Sequence, residues 1–194
     1  MSLNETPRSV RTHIALFGKR NAGKSSIINA LTGQDIAIVS DVRGTTTDPV
    51  YKSMEILPIG PCVLIDTAGL DDEGELGELR KEKTLSVLNK TDISIIVIDS
   101  TVGITNYDKS IIKQIKDKKI PLIGVLNKID ASDIKELDVE HMKKELKIPI
   151  VKVSALNRKG ILELKNQIIA SKPQSEDKFK VIGDLIKPGD FVVL

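Results

Sequence analysis

Residues 18–26 read Gly18-Lys19-Arg20-Asn21-Ala22-Gly23-Lys24-Ser25-Ser26, directly after the apolar stretch His13 to Phe17 and directly before the helix-like stretch IINAL. The spacing of Gly18, Gly23, Lys24 and Ser25 fits the pattern GxxxxGK[ST], a glycine-rich turn between a strand and a helix. Glycines allow backbone N–H groups to wrap closely around phosphate oxygens, and the helix N-terminus adds positive potential. Lys24 is placed to reach the β and γ phosphates of a nucleotide and Ser25 to ligate Mg²⁺, while Ala22 and Ser26 complete the enclosing run.

Outward from this loop, short β-branched runs alternate with stretches of helical period, which predicts a parallel sheet covered by helices. Strands are expected at His13 to Phe17, Lys52 to Leu57, Cys62 to Ile65, Ile93 to Ile98, Leu122 to Leu126 and Ile150 to Val153. Helices are expected at Lys24 to Leu31, Leu76 to Leu88, Asp108 to Lys118, Ile134 to Leu146 and Ile161 to Ala170. Only PIGP separates the second strand from the third, too little for a helical crossover, so that pair is expected to be antiparallel. The fold class is α/β: a three-layer P-loop NTPase fold with a mostly parallel six-stranded sheet, one antiparallel edge strand and helices on both faces. Residues 1–171 are expected to form this domain. Residues 172–178 read as a polar linker, and residues 179–194 as the opening of a second domain, or alternatively as an edge strand returning to the main sheet.

Further motifs follow in order. DTAG, Asp66 to Gly69, ends the apolar run CVLID, where a carboxylate can hold the Mg²⁺ shell and the Gly69 N–H can face the γ phosphate. NKID, Asn127 to Asp130, ends the run IGVLNK. There Asp130 can accept hydrogen bonds from guanine N1–H and the exocyclic amine, donors that adenine lacks, with Asn127 and Lys128 beside it. Ser154, Ala155 and Leu156 follow the last strand, where a backbone N–H can meet guanine O6. Between the first helix and Asp66 lies the stretch SDVRGTTTDPV. Of its threonines, Thr46 is expected to complete the Mg²⁺ shell and sense the γ phosphate, with Thr45 also at the nucleotide. Together these elements predict a GTP-binding, GTP-hydrolysing chain.

Composition limits the other classes. The 194 residues carry 29 Lys and Arg against 27 Asp and Glu, a formal net charge of +2, so no charge excess points to nucleic acid or an anionic membrane. No apolar run reaches the ~20 residues of a membrane span, and the start lacks a signal-peptide core. A cytoplasmic location is expected. The single cysteine, Cys62, sits in an apolar run and reads as a buried hydrophobe that by itself holds no metal cluster.

Leu70 follows DTAG, so this chain lacks a glutamine there to orient water. An arginine finger contributes about a thousandfold to a hundred-thousandfold in rate, and another source of charge is therefore needed for fast turnover. Asn21, inside the phosphate loop, is the candidate.

GxxNxGKS, a GTT switch and the leucine after DTAG resemble the TrmE-Era-Septin-like GTPases of the potassium-activated kind. The resemblance implies that Asn21 ligates K⁺, that the cation stands where an arginine finger would, and that a glutamate downstream of DTAG acts on the attacking water through a second water. Within the acidic stretch Asp71 to Glu78 the spacing differs from that group, and Glu75 and Glu78 are both eligible. Each of them also fits the simple preference of acidic residues for a helix N-terminus. His13 and His141 have no partner motif and read as structural or solvated; Arg20 and Arg43 lie near the site and read as solvated.

More narrowly, NAGKSSIINAL, VRGTTTDPVYKSMEILPIGP, IDTAGLDDEGELGELR and DLIKPGDFVVL resemble the HydF family, the GTPases that mature [FeFe]-hydrogenases. Thr47 stands where the TrmE group has an arginine. This resemblance implies a GTPase domain followed by a dimerisation domain and a Cys/His-containing domain with a [4Fe-4S] cluster, pairing through G domains or the second domain, and partnership with the hydrogenase and its radical-SAM maturases. With one cysteine, the cluster is not expected on this chain. The alternative is a ribosome- or tRNA-associated GTPase of the same superfamily, although no KH module or basic aromatic surface is visible. A third reading is a binding switch in which hydrolysis serves only as reset.

Overall fold

Each apolar run of the sequence supplies two faces, and the strands separate them. In the first strand Ile14 and Leu16 enter one buried cluster while Ala15 and Phe17 enter another, the two-residue period of a strand covered on both sides. This computed structural model describes residues 11–33, 39–42, 49–67, 77–131 and 136–172. Elements run in the order β1 (Thr12–Phe17), α1 (Lys24–Thr32), β2 (Val39–Val42), β3 (Val50–Ile56), β4 (Gly60–Asp66), α2 (Gly77–Leu88), β5 (Ile93–Asp99), α3 (Asn106–Asp117), β6 (Leu122–Asn127), α4 (Glu136–Leu146), β7 (Ile150–Lys152) and α5 (Ile161–Ala170).

The strands form one sheet in the order β2-β3-β4-β1-β5-β6-β7. β4, β1, β5, β6 and β7 pair in parallel, and β3 pairs antiparallel with β4 as the short PIGP connection requires. The three-layer α/β class expected from the sequence is therefore the observed one. The strand count needs correction from six to seven: Val39–Val42 adds β2 at the edge, antiparallel to β3, so β3 is the one strand that runs against the rest but not the edge strand. VSDV is short and half polar, and the backbone of β3 beside it makes it a strand.

Ile27, Ile28 and Leu31 of α1 and Leu164 and Ile168 of α5 pack on one face against Ile14, Leu16, Ile95 and Val97. Val87 and Leu88 of α2, Ile111, Ile112 and Ile115 of α3, and Val139 of α4 cover the other. α3 begins two residues before its expected start because Thr105 caps it: the Thr105 hydroxyl accepts from the Asp108 N–H, and the Asp108 carboxylate accepts from the Thr105 N–H at 2.8 Å. This reciprocal box satisfies two end donors that apolar periodicity does not reveal. Cys62 is fully buried, as expected, and burial pushes its thiol up to about 11. Among the described residues no helix is long and apolar enough to cross a membrane.

The parallel strands β1, β4, β5 and β6 all end on the same side of the sheet, and β1 lies between β4 on one flank and β5 on the other, where the strand order reverses. Loops at such a reversal form the crevice where open α/β sheets bind ligands.

Candidate nucleotide-binding site

The loop after β1 is shaped by two glycines with no room for a side chain. Gly18 has φ +141°, and a Cβ there would lie 2.2 Å from the Val97 carbonyl oxygen of β5; at Gly23, φ +97°, it would lie 2.2 Å from Asn127 Nδ2. Asn21 takes a positive φ of 62° and is exposed on the loop. Lys24, only 5% exposed, folds over the loop and donates from Nζ to the carbonyl oxygens of Gly18 at 2.6 Å and Lys19 at 3.2 Å. The first turn of α1 carries no acidic residue and its N-cap, Gly23, no side-chain cap. An anion there meets helix N–H groups and a buried ammonium, with no carboxylate in the helix's own first turn.

At the end of β4, Asp66 is buried and its Oδ2 accepts from the Ser25 hydroxyl at 2.5 Å. Thr67 anchors the turn that follows by donating from its hydroxyl to the Leu16 carbonyl at 2.6 Å. A hydroxyl and a carboxylate oxygen converging beside a phosphate loop are hard donors of the kind Mg²⁺ takes, so Ser25 and Asp66 fit the metal expected there.

The third piece comes from β6. Asn127, buried at the strand end, donates from Nδ2 to the Ala22 carbonyl at 2.9 Å, and its Oδ1 accepts from the Ala155 N–H at 3.2 Å. One amide thus joins the phosphate loop to both loops expected at the base. Lys128 has φ +64° and Asp130 is exposed beyond it. Ser154 pairs with Lys159 through the backbone and accepts from the Asn157 N–H at 3.1 Å, closing the turn that carries Ala155 and Leu156.

A family model described as 50S ribosome-binding GTPase matches residues 13–128, from β1 through Lys128. The chain belongs to that family. It is 39% identical over 176 residues to GTPase Der of Wolinella succinogenes, a match covering 86% of this chain and 37% of that protein. To the tRNA modification GTPase MnmE of Nitrosomonas europaea it is 36% identical over 149 residues, covering 76% of this chain and 32% of the relative. Among solved structures it is similar to an Aquifex aeolicus Era variant bound to GDP and aluminium fluoride, with a TM-score of 0.69 and 30% identity over 84% of this chain and 57% of that one. The chain spans about a third of the length of these two curated relatives.

In this GTPase domain the structure brings together Gly18, Asn21, Ala22, Gly23, Lys24, Ser25, Asp66, Asn127 and Ala155. Thr45, Thr46, Gly69, Leu70 and Glu75 lie outside the described residues, as do Arg43, Thr47 and everything after Lys172. Glu78 falls in α2, with its side chain outside the description. His13 stands apart from the site: its N–H donates to Asp92 Oδ2 at 2.8 Å, which ties β1 to the turn before β5.

Sequence reasoning missed Asp99. At the end of β5, its Oδ2 accepts from Lys128 Nζ at 2.6 Å, and its Oδ1 accepts from the Thr101 N–H and hydroxyl at 2.9 and 2.7 Å. Burial alone pushes this carboxyl up, but the hydrogen bonds from Lys128 and Thr101 outweigh it and hold Asp99 below the usual carboxylate range. A signal was present: Asp99 closes an apolar strand on the same side as Asp66 and Asn127, a polar end to a buried run.

Proposed function

We propose that this chain binds GTP with Mg²⁺ and hydrolyses the β–γ phosphate bond, working as a nucleotide switch. The observation that carries the reading is the Asn127 amide, which holds the phosphate loop and the base loops as one unit. Asp130 reads guanine N1–H and the exocyclic amine. The loop N–H groups and Lys24 bind and neutralise the phosphates, Lys24 exchanging its carbonyl partners for phosphate oxygens. Ser25, Asp66 and Thr46 hold Mg²⁺, which supplies positive charge to the phosphates when bound. Gly69 faces the γ phosphate, and Glu75 or Glu78 positions the attacking water.

With Leu70 in place of a water-orienting glutamine, Asn21 is assigned to K⁺, which when bound adds positive charge at the reacting phosphates. Its exposed place on the loop supports that assignment. Phosphate release measured in KCl and in NaCl at equal ionic strength tests it. Faster release in KCl, lost in Asn21→Ala, is expected; equal rates in both salts remove Asn21 from catalysis.

What the switch serves has two readings. The name of the similar MnmE, a tRNA modification GTPase, supports an RNA-associated role. Hydrogenase maturation rests on the motif resemblance, with residues 1–171 as the G domain, 172–178 as linker and 179–194 leading into a dimerisation domain of a cytoplasmic, cluster-carrying protein. Retention of tRNA or ribosomal RNA by the GTP-loaded chain supports the first. Restored hydrogenase maturation by the full gene product, lost in its Lys24→Ala form, supports the second.

A further inference from the structure

The end of β5 holds Asn127 and Lys128 by three separate bonds. Ser100 donates from its N–H to the Asn127 carbonyl at 2.9 Å and from its hydroxyl to the Lys128 carbonyl at 2.9 Å. Asp99, paired in register with Asn127, takes the Lys128 ammonium at 2.6 Å. Lys128 itself sits at φ +64°, a left-handed conformation that a non-glycine residue keeps only when its surroundings impose it.

We propose that Asp99 is a positioning residue for nucleotide binding: with Ser100 it fixes the side chain and backbone of Lys128, and through them the loop that presents Asp130 to the base. This rests on the reading of residues 127–130 as the guanine-binding loop. An ordinary surface ion pair contributes little, but this one is only partly solvated, with side-chain exposures of 37% for Lys128 and 15% for Asp99. The aspartate is also fixed from behind. Both Thr101 donors hold Oδ1, and the Val102 and Gly103 N–H groups donate to the Asp99 carbonyl oxygen at 3.1 and 2.8 Å. Oδ2 is thus aimed at Lys128 before any nucleotide arrives, so that less ordering remains to be done on binding.

The test is a double-mutant cycle on GDP affinity, read with a fluorescent guanine nucleotide and a thermal melt of each protein. Asp99→Asn should weaken GDP and GTP roughly tenfold alike, the size of a charged hydrogen bond, and raise KM with kcat unchanged. In a Lys128→Met background the same change should have almost no further effect. Full additivity with Lys128→Met, or wild-type affinity in Asp99→Asn, overturns the proposal. If Asp99→Asn fails to fold, Thr101→Val, which removes one of the bonds on Oδ1, should still weaken GDP severalfold; unchanged affinity there also overturns it. Asp130→Asn separates the two layers. If it leaves guanine affinity intact, the reading of the loop fails; if it shifts preference to xanthine nucleotides while Asp99→Asn is silent, only the positioning role fails.

Discussion

The side chain of Asn127 and the backbone of Ala22, 105 residues apart in sequence, are joined by a buried 2.9 Å hydrogen bond. Truncation to alanine leaves the Ala22 carbonyl and the Ala155 N–H without that partner. A buried polar group left unmet costs about 1–3 kcal/mol, so Asn127→Ala should lose roughly that much stability in urea denaturation. GDP affinity should fall in parallel, because the phosphate and base loops lose their common strut. A variant with wild-type stability and affinity would show the bond to be incidental.

Gly18 and Gly103 differ in what surrounds them. Gly18→Ala drives a methyl against the Val97 backbone oxygen, which cannot rotate away, and overpacking of this kind costs about 1–3 kcal/mol. At Gly103, φ +79°, nothing lies within 4 Å of the new methyl, and only the left-handed backbone cost of about 1 kcal/mol remains. Denaturation midpoints of the two alanine variants should separate in that order. Equal midpoints would mean that β5 yields to the loop.

Much of this architecture is legible in the sequence. The phosphate loop, the ends of β4 and β6 and all five helices follow from apolar periodicity and glycine placement, because burial on both sheet faces imposes both. β2 was not legible, since a four-residue half-polar segment becomes a strand only through pairing with β3. The start of α3 was set by the Thr105 and Asp108 cap rather than by its apolar face. Asp99 escaped because its role depends on a lysine 29 residues away, a contact that the parallel pairing of β5 with β6 creates.

Cys62 gives a pH signature. Its thiol is pushed by burial from 9.0 to about 11 in the folded chain. The unfolded thiol ionises first as pH rises, so the stability it contributes is full below pH 9.0 and is lost on the way to about 11. Cys62→Ser tests this with thermal melts from pH 8 to 11. The wild type should lose stability across that window more steeply than the variant; parallel curves would contradict the buried-thiol account. The native thiol should also resist a thiol-specific reagent at neutral pH.

The base assignment rests on Asp130. Two charge-assisted hydrogen bonds, each worth about 1.5–3 kcal/mol, should be lost to guanine in Asp130→Asn and regained with xanthine. Competition binding of GTP against xanthosine triphosphate should therefore invert in this variant. An unchanged preference for GTP would remove residues 127–130 from base recognition.

We propose that one unit built from the ends of β1, β4 and β6 binds and hydrolyses GTP. Phosphate release from GTP and from ATP, measured side by side with Mg²⁺ and K⁺ present, tests it most directly. Release from GTP is expected, with little or none from ATP, and the GTP activity should be lost in Lys24→Ala. Equal turnover of ATP, or GTP turnover that survives Lys24→Ala, would contradict it.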